Sequence, residues 1–250
     1  MVGPGQRWGV WAAGPAESVR AWPDHGGFLI EGTKAWCSGA ALVTHALVDA
    51  ATDSGQQLVA VELDQAGVAL GPKTWVGPGM ARADTRSVSF HRASAMAVGR
   101  PGGYLTRPGF WVGAIGVAAC WHGGSVSVAR PLLDRSRGCR EPHTLAHLGA
   151  VHVALEQNRV ALMEAAARVD CDFRRDHELL AGWVRSTIER NAVAVMDRVG
   201  RALGPAPLAH DADHSTLVAD LAVYIRQHHG ERDLENIGAG LSRLEDPWAC

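Results

Sequence analysis

Short apolar runs separated by glycine, proline and polar residues fill the first hundred or so residues. Runs rich in valine, leucine and phenylalanine occur at 26–32, 42–50, 57–63 and 87–91. Glycine, aspartate, serine and proline bound these runs at intervals of roughly 8–12 residues, which is typical of short strands joined by turns. The pattern predicts a small antiparallel β barrel or sandwich.

A helical period replaces this pattern after Pro108. Apolar residues recur at helical spacing from Val151 to Val169, from Leu180 to Val199 and from Leu217 to Ile225. The third stripe begins beside Ser215–Thr216, whose hydroxyl groups can cap a helix. We therefore expect at least three long helices in the second half of the chain.

The apolar run from Phe110 to Trp121 contains glycine and alanine at close intervals, which predicts a buried helix packed closely against its neighbours. On its own the run is too short to span a bilayer. Together the two patterns predict an α+β protein, with a β domain over residues 1–106 followed by an antiparallel helical bundle over residues 107–250.

Composition narrows the possible functions. The formal net charge of −2 over 250 residues gives no electrostatic footprint for nucleic acid. The five cysteines are odd in number and form no CxxC pair, so neither a disulfide framework nor a thiolate metal site is indicated. No segment resembles a signal peptide. We expect a cytoplasmic protein without membrane insertion, nucleic acid or a metal.

The segment Gly32–Ala40 reads GTKAWCSGA. It resembles the G-x-K-x-W-I-T-N-A segment of the acyl-CoA dehydrogenases, in which the tryptophan packs against the flavin ring and the hydroxyl two residues later bonds it. The resemblance implies flavin contacts for Trp36, Cys37 and Ser38. The segment Trp8–Ala13 is similar to the family's first middle-domain strand, whose backbone meets the pyrimidine edge of the flavin. This similarity implies that Trp11 and Ala12 also contact the flavin.

Further similar segments follow in the order that the family has them, and the resemblance covers roughly residues 20–235. They are Gly79–Thr85 (GMARADT) for the G-M-R-A-T/S turn, Val98–Tyr104 for the linker into the helical domain, Thr106–Pro108 with Gly113–Ala118 for the first C-terminal helix, Arg201–Gly204 for the Q-I-x-G-G turn and Asp220–Tyr224 for the R-D-A-x-x-Y helix.

The resemblance implies an FAD cofactor between the β domain and the helices, hydride transfer from an acyl thioester to flavin N5, and reoxidation by electron-transfer flavoprotein. It also implies an arginine close to the active site, which is Arg107 here. Arg135 and Arg137 fall where the family contacts the flavin pyrophosphate of a neighbouring subunit. The family's N-terminal helical domain has no counterpart in this sequence, so we expect a homo- or hetero-oligomer.

Members of the family carry the catalytic carboxylate at one of two positions. In this sequence those positions hold Thr106 and His228, so neither has a carboxylate. Three alternatives stay open. His228 or His229 could be the base, because imidazole titrates near neutral pH. Glu231 could take the role if the register shifts by about one turn. Otherwise a partner supplies the base, or the chain is not an α,β-dehydrogenase.

Two other functions fit the same resemblance. One is a flavin-dependent monooxygenase on the same scaffold. The other is a catalytically degenerate subunit that completes a heteromeric acyl-CoA dehydrogenase.

Overall fold

Strands and long helices occupy different halves of the chain. The computed structural model describes residues 3–13, 18–246 and 248. The strands in this part of the chain all lie before residue 98, and every helix longer than four residues begins after Pro108. Two compact units result, one ending at Arg107 and the other beginning at Pro108.

The first unit is a closed sheet. Its strands are β1 (Trp8–Trp11), β2 (Val19–Asp24), β3 (Gly27–Cys37), β4 (His45–Thr52), β5 (Gly55–Glu62), β6 (Val68–Leu70) and β7 (Arg86–Ala97). Pairing runs β4–β2–β3–β7–β5 and returns from β5 to β4, which closes a ring. The barrel that the sequence predicts is confirmed, although β1 and β2 both pair with β4 in parallel rather than antiparallel orientation.

Alternation along the strands fills the barrel. In β4, Ala46, Val48 and Ala50 are buried, and the residues between them are partly exposed. Ile30 of β3 and Val88 of β7 join the same core. The strand predicted at 26–32 continues to Cys37, because Thr33 and Lys34 pair with Ser89 and Val88 of β7. The segment that resembles a flavin contact therefore begins inside a strand.

The second unit is a bundle of helices. Before it, α1 (Gly103–Thr106) ends the first unit. The bundle contains α2 (Gly109–Ser136), α3 (Pro142–Cys171), α4 (Glu178–Leu203), α5 (Ala206–His210), α6 (Ala212–Tyr224) and α7 (Glu231–Leu241). Its core includes Ile115 and Trp121 of α2, and Val184, Ile188 and Val195 of α4, all at helical spacing.

Two helix predictions need correction. The run 110–121 is helical as predicted, but the helix continues to Ser136 and buries only one face. The full α2 is long and apolar enough by composition to cross a membrane, a property that core helices of soluble proteins share. Helix α6 begins at Ala212 rather than near Ser215, because the Asp211 carboxylate accepts hydrogen bonds from the backbone N–H groups of Asp213 and His214.

Candidate functional site

Trp36 near the end of β3 combines backbone strain with exposure. Its φ of 62° lies in the left-handed region, where a bulky residue is a genuine outlier. Its indole is 62% exposed, and its only described ring neighbour is Trp75, with the ring centroids 6.1 Å apart and the planes at 81°. Strained residues of this kind cluster at functional sites, where the surrounding structure holds them in place.

Hydrogen bonds join two chain segments, residues 36–41 and 83–86, beside Trp36. The backbone N–H of Ser38 donates to the Trp36 carbonyl oxygen at 3.0 Å, and that of Gly39 donates to the Ala83 carbonyl oxygen at 2.7 Å. The Asp84 carboxylate accepts from the Ala41 N–H and from the Arg86 guanidinium. The hydrogen bond from Arg86, followed by that from Ala41, holds the pKa of Asp84 below its usual value, so this cross-link is charged at neutral pH.

A pair of hydroxyl groups lies beside Trp36. The Ser38 and Thr85 hydroxyl oxygens are 2.9 Å apart, with Ser38 exposed and Thr85 partly exposed. The Trp11 indole is buried, and its Nε1–H donates to the Ser38 carbonyl oxygen at 3.0 Å. Trp11 thus supports Ser38 from inside, while the adjacent Ala12 stays partly exposed. The arrangement offers hydroxyl and backbone hydrogen bonds next to a flat apolar wall.

Cys37 points into the barrel rather than toward Trp36. Its side chain is buried, and its Sγ donates to the Lys34 carbonyl oxygen at 3.3 Å. Burial raises the pKa of the thiol to about 12, against the opposing effect of the Lys34 charge. The Cys37 side chain is therefore a neutral core group, and only its backbone can meet a ligand at this edge.

Lys34 places a buried amine inside the same barrel. Its side chain is 1% exposed, and among the described residues its Nζ has no hydrogen-bond partner. Burial lowers its pKa, while the charges of Asp49 and Cys37 raise it. An unpaired buried amine is costly, which favours the neutral form of Lys34.

His228 is locked in the turn between α6 and α7. The backbone N–H of Gly230 donates to its Nδ1 at 3.1 Å, so the proton of the neutral ring must be on Nε2. Nε2 lies 2.9 Å from the Ser186 hydroxyl of α4, which also donates to the Gly182 carbonyl oxygen. Burial lowers the pKa of His228, although the Asp233 carboxylate opposes the shift. The one lone pair of the neutral His228 ring, on Nδ1, therefore already accepts a hydrogen bond.

His229, in contrast, keeps one ring nitrogen open. Its side chain is 54% exposed, and its Nδ1 lies 3.2 Å from Oδ1 of Asp233. A carboxylate only accepts, so Nδ1 carries the proton and Nε2 is left with a lone pair. Desolvation raises the pKa of Asp233, but the hydrogen bonds from the His229 backbone and ring and the electrostatic interactions with both histidines outweigh it and lower the pKa. The pair resembles the carboxylate–imidazole arrangement of general bases.

The other predicted site residues lie on exposed ends of elements. Glu231 is the exposed first residue of α7. Arg107 follows α1, and its guanidinium lies 4.0 Å from the centre of the Tyr104 ring. Arg135 and Arg137 are exposed at the end of α2, and Arg137 forms an ion pair with Asp134 at 3.7 Å. Across the described part of the chain, no group of three or more His, Cys, Asp or Glu side chains could hold a metal ion.

Solved structures share this architecture, whereas no family model and no curated protein matches the sequence. An acyl-CoA dehydrogenase from Geobacillus kaustophilus superposes with a TM-score of 0.84 at 15% identity, over 94% of this chain and 68% of that chain. The FMN-bound dibenzothiophene monooxygenase TdsC from Paenibacillus sp. A11-2 gives 0.79 at 20% identity, over 93% and 70%. PigA with FAD and proline gives 0.82 at 15% identity, over 95% and 68%. The chain has the acyl-CoA dehydrogenase fold.

The acyl-CoA dehydrogenase fold places side chains around Trp36 that the sequence did not single out. Thr85 belongs to the GMARADT segment, but nothing in that segment indicated its contact with Ser38. Trp75 lies in the loop before that segment, with no periodic pattern around it. Asp84 could have been suspected only as one polar residue of a turn. Contacts between residues about forty or more positions apart require the folded barrel.

Proposed function

We propose that this chain is an FAD-dependent oxidoreductase of the acyl-CoA dehydrogenase type that oxidises an acyl thioester. The observation that carries the proposal is the exposed, strained Trp36 indole beside the Ser38–Thr85 hydroxyl pair. A flavin needs a flat apolar wall and hydrogen-bonding groups at its ring edge, and these residues have that chemistry. The fold supports the proposal because PigA, which shares it, has a solved structure with FAD.

Trp36, Ser38 and Thr85 would hold the flavin ring, with Trp11 fixing the Ser38 backbone. Bound FAD would supply the acceptor for a hydride. That hydride would leave the substrate carbon next to the one that loses its proton. A base must take the α-proton, and we assign this role to a residue of this chain. Electron-transfer flavoprotein as the electron acceptor, an oligomeric state and a cytoplasmic location remain predictions from the sequence.

Between the two histidines, His229 is the better base. Its Nε2 lone pair is open and its ring is oriented by Asp233, whereas the lone pair of His228 accepts from the Gly230 N–H. Asp233 also stabilises the imidazolium that forms when His229 takes a proton. Glu231 is exposed at the start of α7, and no hydrogen bond or ion pair within the described part of the chain orients its carboxylate.

Anaerobic reduction of bound FAD by an acyl-CoA tests this assignment. We expect His229→Ala to slow the reduction by about 10²–10⁴-fold while FAD binding is unchanged, since general bases contribute rate factors of this size. Added imidazole should restore part of the rate, because the ring it replaces is exposed. His210→Ala, which removes an exposed histidine elsewhere in the helical unit, is the matched control. A wild-type rate in His229→Ala would remove the proposal, and a slow Glu231→Gln would move the role to Glu231.

A flavin-dependent monooxygenase is the second candidate. The observation in its favour is that Thr106 and His228 occupy the positions where the dehydrogenases have their carboxylate. The similarity in fold to TdsC is consistent with it. Oxygen consumption by the reduced, reconstituted protein, without reduction of the flavin by any acyl-CoA, would favour this candidate over the dehydrogenase.

A further inference from the structure

Trp75 lies in the long connection from β6 to β7. This connection runs from Gly71 to Thr85 and contains a short 3₁₀ turn at Ala81–Ala83. The Trp75 Nε1–H donates to the Gly79 carbonyl oxygen at 2.9 Å, so its one polar atom is satisfied within its own loop. The rest of its indole presents only apolar surface.

Trp75 and Trp36 form an open aromatic corner. Their planes meet at 81° with centroids 6.1 Å apart, so the edge of one ring points at the face of the other. Neither ring is buried, since Trp36 is 62% exposed and Trp75 is partly exposed. A planar ring lying against one wall of such a corner presents its own edge to the second wall.

Packing within the barrel does not account for this corner. The barrel core is made by Trp11, Ile30, Val88 and their neighbours and includes neither indole. Val76, the residue after Trp75, is 95% exposed, so the chain beside Trp75 is not covered by a core. Two indoles that share only an edge contact leave much apolar surface in water, which a flat aromatic ligand would remove.

We propose that Trp75 is a second binding residue for the isoalloxazine ring, and that it defines with Trp36 a two-walled site for a planar heteroaromatic ring. This inference rests on the proposed flavin function and deepens it. Trp36 has a counterpart in the motif that the family uses for its flavin, whereas the role of Trp75 is inferred only from its position beside Trp36 in the structure. Trp75 also restricts the sideways position of a ring that Trp36 alone would leave free to slide.

Equilibrium binding of FAD to the apoprotein, followed by flavin fluorescence, tests this inference without any activity assay. We expect Trp75→Ala to weaken FAD binding by about two- to twelvefold, the range for one aromatic contact. Trp75→Phe should lie between Trp75→Ala and the wild type, because it restores a ring at that position. Val76→Ala is the matched control in the same loop and should bind FAD like the wild type.

The outcomes separate the two proposals. If the wild type binds FAD and Trp75→Ala binds it equally well, the role of Trp75 is overturned and the flavin function stands. If the wild type binds no FAD, both are overturned. If circular dichroism shows that Trp75→Ala does not fold, the FAD affinities of Trp75→Leu and Trp75→Phe are compared instead, because Leu keeps apolar bulk without a ring. Equal affinity in those two variants would overturn the inference, and weaker binding by Leu would support it.

Discussion

At the residue scale, Trp36 adopts a backbone conformation that bulky residues rarely take, while its indole remains largely in water. Met80 and Asp84, in the segment packed beside it, also have positive φ, at 56° and 45°. Residues in this region cost about 1–3 kcal/mol each and persist only where the surroundings hold them. Three such residues around one exposed indole support the proposal that this edge of the barrel binds a ligand.

Replacing Trp36 separates strain from function. Both Trp36→Ala and Trp36→Gly should weaken FAD binding by more than about tenfold, because each removes the wall. Trp36→Gly should be more stable to urea than Trp36→Ala by about 1 kcal/mol, since only glycine takes positive φ without strain. An Ala variant as stable as the Gly variant, or one with full FAD affinity, would contradict this account.

Sequence reasoning reached some residues of this edge but not their orientation. The GTKAWCSGA segment located Trp36 and Ser38 through a resemblance. It could not place the Cys37 side chain, because irregular pairing of β3 with β7 between Lys34 and Cys37 decides which side chains enter the barrel. The burial of Lys34 could not be predicted from the sequence either, since lysine is almost never fully buried.

At the element scale, the turn from α6 to α7 is pinned to α4 by the neutral His228 ring. Burial lowers the pKa of His228 below its reference value of 6.5, with Arg185 and His229 adding to the shift and Asp233 and Glu189 opposing it. The unfolded chain therefore binds more protons than the folded chain just below pH 6.5. The free energy of unfolding should fall as pH falls through this range.

Urea unfolding at about pH 7.5 and about pH 5.5 measures this effect. The loss of stability on acidification should be smaller in His228→Gln than in the wild type. His122, whose pKa is also lowered by burial, contributes equally to both proteins and cancels in the comparison. His210→Gln, an exposed control in the same unit, should keep the wild-type slope. Equal slopes in His228→Gln and the wild type would show that His228 is not held neutral by the fold.

The long helices could be predicted from their periodicity, whereas their ends could not. The stripes over 151–169 and 180–199 lie within α3 and α4, because one apolar face faces the core along each helix. Helix α6 begins earlier than Ser215 because Asp211 is the better-placed cap. The run predicted at 110–121 extends to Ser136 because Val128, Ala129 and Leu132 continue its buried face at helical spacing.

At the scale of the whole molecule, a barrel followed by a helical bundle was predictable because the change from period two to period 3.6 occurs once along the chain. The proposed flavin function could be inferred from the sequence only through motifs in the family's order, because identities to solved structures of the same fold are as low as 12–22%. The choice of His229 over His228 as the proposed base could not be made from the sequence, because the contacts that distinguish them come from α4, Gly230 and Asp233.

The visible absorption spectrum of the purified chain, incubated with FAD and then desalted, tests the central claim most directly. We predict a yellow protein that retains stoichiometric FAD with absorption bands shifted from those of free flavin, as expected for a ring stacked on Trp36. A correctly folded but colourless protein that releases all added FAD would contradict the account and would favour a degenerate subunit without a cofactor.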